Sequence, residues 1–420
     1  MMSYSDLPRP MLARLVPELQ LSGQLIDRSG MAHLIAAFGR EVMADVGVEE
    51  WISASPVYTA RMRTALGLDG DGVEDMFKCM QLDIGAPPQF MDFRYSVTDT
   101  YHGGFELNHC GALIDVEPLG DDYVTAMCHH IEDPTFDATA IATNRRARIR
   151  PLHRPPRRPA DRHPHCAWTV TIEPDRDELP LPEQSIRMSR TRAAQVELSA
   201  IDPTEEGRTD YRGHLLADLR FADWSHSALV RICEELALQH QLLAIGFTWA
   251  VGNRTDAEHA ATLSRKQLTG IAGLTAGRLR ACLGLGTDAT SLATVLQLHP
   301  VLGPTQYTGI TATRTGAGTE AGVLLRIPAS SGAIADDGWP ARIDAEHLDP
   351  VLAIAAAVDP TWSALRASAD DTGLTIEIGR GPAGKELGEV AITRFSSGAT
   401  FEFADRGIPL AITPTGASRR

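Results

Sequence analysis

An internal repeat constrains the fold of this chain more than any other feature. Residues 60–68 read ARMRTALGL and residues 277–285 read GRLRACLGL, and each is followed by an aspartate and a helical segment ending in Gln-Leu. Asp-Pro-Thr followed by an aromatic residue occurs at 133–136 and again at 359–362. Because the order and spacing of these matches are preserved, the sequence predicts a tandem pseudo-repeat of helices followed by an antiparallel sheet. The predicted fold class is α+β.

The repeat also predicts how the chain divides. We expect a first repeat over residues 1–175, a charged and Pro-containing linker over 176–210, and a degenerate second repeat over 211–420. The opening segment to about residue 25 is punctuated by prolines and is expected to wrap over the surface. Helical spacing begins at Asp27 and is expected to end at Gly47. Alternating patterns predict strands at 93–97, 104–107 and 168–172. The stretch 105–136, which contains Cys128, is expected to consist of short strands and turns, with either a strand or a short helix at 124–127.

The overall charge limits the classes of partner. The formal net charge of -15 and the pI near 5.4 argue against nucleic acid or an anionic membrane as the main partner. No apolar run approaches the length that spans a bilayer, and the N-terminus has neither a basic start nor an apolar core. We therefore expect a cytoplasmic protein with reduced thiols, either monomeric or a homodimer.

Candidate functional residues concentrate between positions 105 and 166. They are His109, Cys110, Cys128, His129, His130, Glu132 and Cys166. When the two Asp-Pro-Thr segments are aligned, Cys128–His130 correspond to residues 354–356 and His109-Cys110 correspond roughly to residues 327–328, which contain neither Cys nor His. The scaffold therefore does not require these residue types, which indicates a function in the first repeat. Asp133, present in both copies, is expected to be structural.

Three kinds of chemistry could use this cluster. A cysteine could act as nucleophile with a histidine as base and Glu132 as the orienting carboxylate. Adjacent residues on a strand point to opposite faces, so His129 or His130 reaching across to Cys110 is the better pair. Alternatively, Cys110, Cys128, Cys166 and His130 could bind one zinc or iron ion, or the protein could have no cofactor. As a third reading, the cysteines are buried thiols that behave as small apolar side chains.

An arginine-rich segment separates these cysteines. Residues 144–165 contain eight arginines and one aspartate. Guanidinium groups match carboxylate and phosphate geometry, so Arg150, Arg154 and Arg158 are predicted to bind an anionic group of a small-molecule ligand. The alternative is a solvated loop stiffened by proline, with its charge offset by acidic residues elsewhere.

The first copy, roughly residues 30–172, resembles L-2-amino-thiazoline-4-carboxylate hydrolase-like proteins. The resemblance is carried by HCGAL, CHHIEDP, ATNRRARIR and HCAWTV, and the chain is similar, more distantly, to vinyl-reductase-type ligand-binding domains. It implies hydrolytic opening of a small sulfur- or nitrogen-containing ring at a C–N or C–S bond, with Cys110, Cys128 and Cys166 important. The competing hypothesis is a ligand- or metal-binding regulatory module without turnover.

Overall fold

The computed structural model describes residues 2–395, and it confirms the α+β class. The long and medium helices of the first half are α1 (Arg9–Gln24), α2 (Ile26–Phe38), α3 (Arg40–Leu66) and α4 (Val73–Met80). They precede strands β1 (Met91–Val97) and β2 (His102–Cys110), helices α5 (Gly111–Val116), α6 (Asp121–Thr125) and α7 (Glu132–Ile141), and strands β3 (Ala147–His153) and β4 (Cys166–Ile172). A π-helical turn, Ala126–Ile131, joins α6 to α7.

The second half follows a similar order. Two short helices, α8 (Glu183–Met188) and α9 (Arg192–Gln195), precede α10 (His226–Gly252), α11 (Ala257–Cys282), α12 (Ala289–Leu298) and α13 (Thr305–Thr308). The remaining elements are β5 (Thr311–Thr315), β6 (Gly322–Pro328), α14 (Gly332–Ala335), α15 (Asp349–Val358), β7 (Trp362–Asp370), β8 (Gly373–Arg380) and α16 (Gly388–Phe395).

Each half contains one four-stranded antiparallel sheet, and the two sheets share a strand order. The first is β1-β2-β4-β3 and the second is β5-β6-β8-β7. Phe105 on β2 faces Tyr95 on one side and Trp168 on the other. Leu325 occupies the matching central position between β5 and β8. The shared order supports the tandem repeat, which stays a prediction.

The two long helices with the repeated motif end in the same way. Gly67 ends α3 in a left-handed conformation (φ 66°), and Gly284, just beyond α11, has φ 62°. The amide of Leu68 donates to the carbonyl of Arg63 at 3.0 Å, and the amide of Leu285 donates to that of Arg280 at 3.0 Å. The Leu-Gly-Leu sequence is therefore a helix C-terminus, where glycine adopts the left-handed conformation without a steric penalty.

The halves share one hydrophobic core rather than separate ones. It contains side chains from α1 to β8, and helices α3 and α10 make the most extensive contact between elements. Residues 176–210, expected as a linker, include α8 and α9, and Met188 and Ala193 are fully buried there. The division of the chain at this segment stays a prediction.

Several local expectations were wrong, each for a reason visible in the packing. The opening segment forms α1, which buries Leu12, Leu15 and Leu19 although Pro17 lies within it. Gly47 lies inside α3 against Ile131 instead of ending a helix, because close packing there leaves little room for a larger side chain.

Two further expectations concerned the stretch that carries the candidate residues. The region around Cys128 was expected to consist of short strands and turns but is helical from α6 through α7. Part of the arginine-rich segment is strand β3. The local patterns were short and charged, and tertiary contacts decided their conformation.

Candidate functional site

A cavity of about 100 Å³ lies in the first half, between its helices and the inner face of its sheet. Its apolar wall consists of Trp51, Met80, Ala86, Met91, Phe93, Leu107, Ala112, Met127, Ile131 and Phe136. Its polar groups are Gln24, Asp27, Asp83, Glu132, Thr135 and Thr139. A mostly apolar wall with a few polar groups is typical of small-molecule sites.

Local structure explains how these side chains meet. Phe93 on β1 and Leu107 on β2 are buried and form a register pair, because alternate residues of a strand point to the same face. Trp51 faces inward from α3, on the opposite side of the cavity. The π-helical turn Ala126–Ile131 brings Met127 and Ile131 to the wall, and Glu132 follows as the first residue of α7.

The partly buried Asp27 and the buried Glu50 form an acidic pair at one side of the cavity. Trp51 donates its indole N–H to Asp27 Oδ2 at 3.0 Å. Burial raises the pKa of Asp27 to about 6, although Arg28 and the Trp51 bond oppose the shift. Glu50 is only 2% exposed, and burial together with the charge of Asp27 raises its pKa well above the usual range. The pair therefore favours a protonated Glu50 beside an ionised Asp27 at neutral pH.

Asp83 is the second aspartate of the wall. It accepts hydrogen bonds from Tyr58 Oη at 3.0 Å and from the Gly85 amide at 2.6 Å. Burial nevertheless raises its pKa to about 6. These two hydrogen bonds fix the Asp83 carboxylate between α3, which supplies Tyr58, and the loop after α4, which supplies Gly85.

Among the carboxyl groups that line the cavity, Glu132 has the pKa that is raised most. Burial and the neighbouring Asp133 raise that pKa to about 8, and Arg154 opposes the shift. Its Oε2 atom is buried without a hydrogen-bond partner among the described residues. Glu132 was a candidate as an orienting carboxylate; the structure places it on the cavity, in a mainly protonated state at neutral pH.

Cys110, Cys128 and Cys166 come together near Glu132. All three are buried, and Glu132 raises the pKa of each thiol electrostatically, after burial itself. The pKa of Cys110 is raised to about 12. Cys110 ends β2 and caps α5, where its sulfur accepts from the Leu113 amide at 3.4 Å. These properties match the buried-thiol reading best, because a nucleophile or metal ligand needs the thiolate.

The histidines of the cluster point elsewhere. His129 Nε2 lies 2.7 Å from the carbonyl oxygen of Pro155, and His130 is exposed. The His109 ring lies beside that of His165 at an angle of 44°, with ring centroids 6.2 Å apart. The expected arrangement, in which His129 or His130 reaches Cys110, required a strand at Cys128. The helical backbone there turns His130 to the surface while it buries Cys128.

Each of the three selected arginines has an acidic partner within the first half. Arg150 pairs with Asp137 at 2.9 Å, and Arg154 pairs with Asp133. The Arg158 guanidinium pairs with an exposed carboxylate, that of Asp121. These pairs offset the charge of the segment internally, which is the alternative that the sequence left open. They remove the main reason to assign an anion to these arginines.

Among residues 2–395, no three or more His, Cys, Asp or Glu side chains are grouped so that they could hold a metal ion. The single zinc or iron ion stays a prediction without support from the donor geometry. Within the same part of the chain, no helix combines the length and apolar character needed to cross a bilayer.

Sequence reasoning missed Gln24, Asp27, Glu50, Asp83 and Tyr58 as site residues. One signal was available: Glu50 falls on the row Val46, Glu50, Ala54, Tyr58, whose four-residue spacing marks one face of a helix. A carboxylate on an otherwise apolar helix face is rarely buried without a partner or a function. Asp83 carried no comparable local pattern.

Comparisons with protein-family models, with curated proteins and with solved structures gave no match. The resemblance to the thiazoline-carboxylate hydrolases therefore stays a prediction.

Proposed function

We propose that the first half of this protein binds a small, largely apolar molecule in the cavity between α3, α7 and the first sheet. The observation that carries this proposal is the cavity itself, about 100 Å³ in volume, with an aromatic and methionine wall and buried carboxyl groups. An apolar cavity of roughly 150 Å³ is enough to accommodate benzene. The cavity here is smaller, at about 100 Å³, which limits the ligand to a single small ring or a smaller compound.

The sequence favoured a hydrolase with a cysteine nucleophile, and burial of the thiols weakens that mechanism. Hydrolysis could instead use the carboxyls. With pKa values of about 6 for Asp27 and Asp83 and about 8 for Glu132, the two aspartates are mainly ionised at pH 7 while Glu132 is mainly protonated. One cavity would then contain both a general base and a general acid. Hydrolysis of a C–N or C–S bond by this carboxyl set is our second candidate function.

Methionine methyl NMR tests the binding proposal directly. Met80, Met91 and Met127 line the cavity, whereas Met188 is fully buried in α8. We expect titration with benzene or toluene to shift the first three methyl signals and to leave that of Met188 in place. An Ala112→Leu variant should abolish the shifts by filling the cavity, and Ala160→Leu, at an exposed position, should not. Equal shifts at all four methionines, or none, would count against a binding cavity.

A further inference from the structure

We infer that the ligand of this cavity carries a positively charged nitrogen on an apolar body, stabilised by the acidic groups that line the cavity, Asp27 and Glu132 among them. Amines, amidines and protonated heteroaromatic bases belong to this class. The inference rests on the proposed binding function and reverses the charge that the sequence predicted for the ligand.

Unpartnered acceptor atoms provide the first argument. Asp27 Oδ1, Glu132 Oε2 and Gln24 Oε1 are buried, and none has a hydrogen-bond partner among the described residues. All three side chains line the cavity, and Gln24 is only 5% exposed. Buried polar atoms in native proteins are nearly always paired. Three acceptors facing one space therefore indicate a ligand that donates hydrogen bonds.

The charges around the cavity provide the second argument. Its described lining contains three acidic side chains and no Arg, Lys or His. Two cations lie near this lining, and each has a partner: Arg28 pairs with Asp115 and lies over the Phe90 ring, 4.8 Å from its centroid, and Arg154 pairs with Asp133. A carboxylate ligand would thus meet like charges, whereas a cation would meet carboxyl oxygens that solvent only partly screens.

The surroundings of Glu132 also predict that binding of a cation changes its protonation state. Its carboxyl faces Asp133, Arg154 and the thiols of the three clustered cysteines, and burial keeps it mainly protonated at pH 7. An incoming ammonium group favours the carboxylate, so Glu132 would release its proton to solvent when the ligand binds. The ligand's N–H bonds then replace the lost proton as the partner of the Glu132 oxygens.

Three probes of similar size but different charge separate the alternatives: benzylamine, benzyl alcohol and benzoate, titrated calorimetrically into the full chain. We expect benzylamine, which is protonated at pH 7, to bind at least tenfold more tightly than benzyl alcohol, because hydrogen bonds to ionised groups are stronger than neutral ones. Benzoate should bind most weakly. Benzylamine affinity should rise between pH 7 and pH 8 as Glu132 loses its proton in the free protein.

Two variants and one control assign the effect. Asp27→Asn and Glu132→Gln should each lower benzylamine affinity about tenfold or more and leave benzyl alcohol affinity within about threefold. Asp121→Asn removes an exposed carboxylate of the same half and should change neither. Titrations at pH 7 in buffers of different ionisation enthalpy should show close to one proton released per benzylamine in the unaltered protein and almost none in Glu132→Gln. A merely structural role of Glu132 would not move this proton count.

The outcomes distinguish the two proposals. If benzyl alcohol or benzoate binds as tightly as benzylamine, the binding function stands and the charge assignment falls. Tight binding of benzoate would mean that Arg28 turns its unpartnered terminal nitrogens toward the cavity. If none of the three probes binds, both the binding function and the charge assignment are overturned.

Discussion

The two halves contact each other through matching helices, but they differ in the side chains that pack behind these helices. Arg61 of α3 pairs with Glu235 of α10 at 2.9 Å, and Arg278 of α11 pairs with Glu18 of α1 at 2.7 Å. The two arginines are 217 residues apart, and so are the two glutamates. Each half thus supplies an arginine to the other half's glutamate, as in a symmetric dimer interface. A reciprocal interface of this kind supports an origin of both halves from one repeat.

The same offset places Gln267 of α11 at the position of Glu50 in α3. Gln267 accepts a hydrogen bond from the indole N–H of Trp339 at 3.3 Å, and Trp339 is fully buried. Glu50 instead lies beside Asp27 next to the cavity. In the second half the indole of Trp339 packs against Gln267, whereas in the first half the Asp27–Glu50 pair lies beside the cavity. This position is therefore packed against an indole in the second half and borders the cavity in the first half.

The largest effect should come from removing that indole. Trp339→Ala should lower the free energy of unfolding by about 3–5 kcal/mol, since it removes a fully buried aromatic side chain and leaves a void. Trp51→Ala should cost less, because Trp51 already faces a cavity. Denaturant titration followed by circular dichroism measures both. Equal losses would mean that the two tryptophans have equivalent roles, and the contrast between packing and site would fail.

The two ion pairs between the halves, Arg61–Glu235 and Arg278–Glu18, should differ less in their contribution to the free energy of unfolding. The Glu235 side chain is 1% exposed, whereas those of Glu18 and Arg278 are each 22% exposed. Arg61→Ala would leave a buried carboxylate with only Arg231 as its partner, at 3.0 Å. We expect a loss of about 2–3 kcal/mol for Arg61→Ala and about 1 kcal/mol or less for Arg278→Ala. Measuring both variants under one set of denaturant conditions tests whether burial, rather than the shared geometry, decides the effect.

The sequence predicted the α+β class, and its strands at 93–97, 104–107 and 168–172 fall within β1, β2 and β4. The sequence-based alignment of the two repeats was wrong where the same short motif occurs in different structural contexts. Asp133-Pro134 opens α7, whereas Asp359-Pro360 follows the end of α15, and the pair that opens α15 is Asp349-Pro350. The alignment of Cys128–His130 with residues 354–356 was therefore wrong in register. Short motifs of turn-forming residues fit both ends of a helix, so they could not fix the alignment.

The site was less predictable than the fold for a related reason. Glu132, Cys110, Cys128 and Cys166 were selected because they cluster in sequence, and they do lie close together. The cavity, however, is completed by Gln24, Asp27 and Asp83, which come from other elements and have no spacing in common. Their pKa values depend on burial by distant segments, a property that local sequence does not contain.

Substitutions in the loop between β3 and β4, where the two sheets differ most in loop length, should have the smallest effect on stability and binding. Strands β7 and β8 are joined by residues 371–372, whereas residues 154–165 join β3 to β4. Within that longer loop the Arg158 and Asp121 side chains are 69% and 62% exposed, whereas Arg154 is 19% exposed and lies over the Trp168 ring. Exposed ion pairs contribute little, since solvent screens them. We therefore expect Arg158→Ala to leave thermal stability and benzylamine affinity unchanged within error, and Arg154→Ala to reduce stability measurably by removing packing as well as charge. A threefold or larger loss of benzoate affinity in Arg158→Ala would restore the loop as an anion-binding element and overturn its reading as an internally neutralised connection.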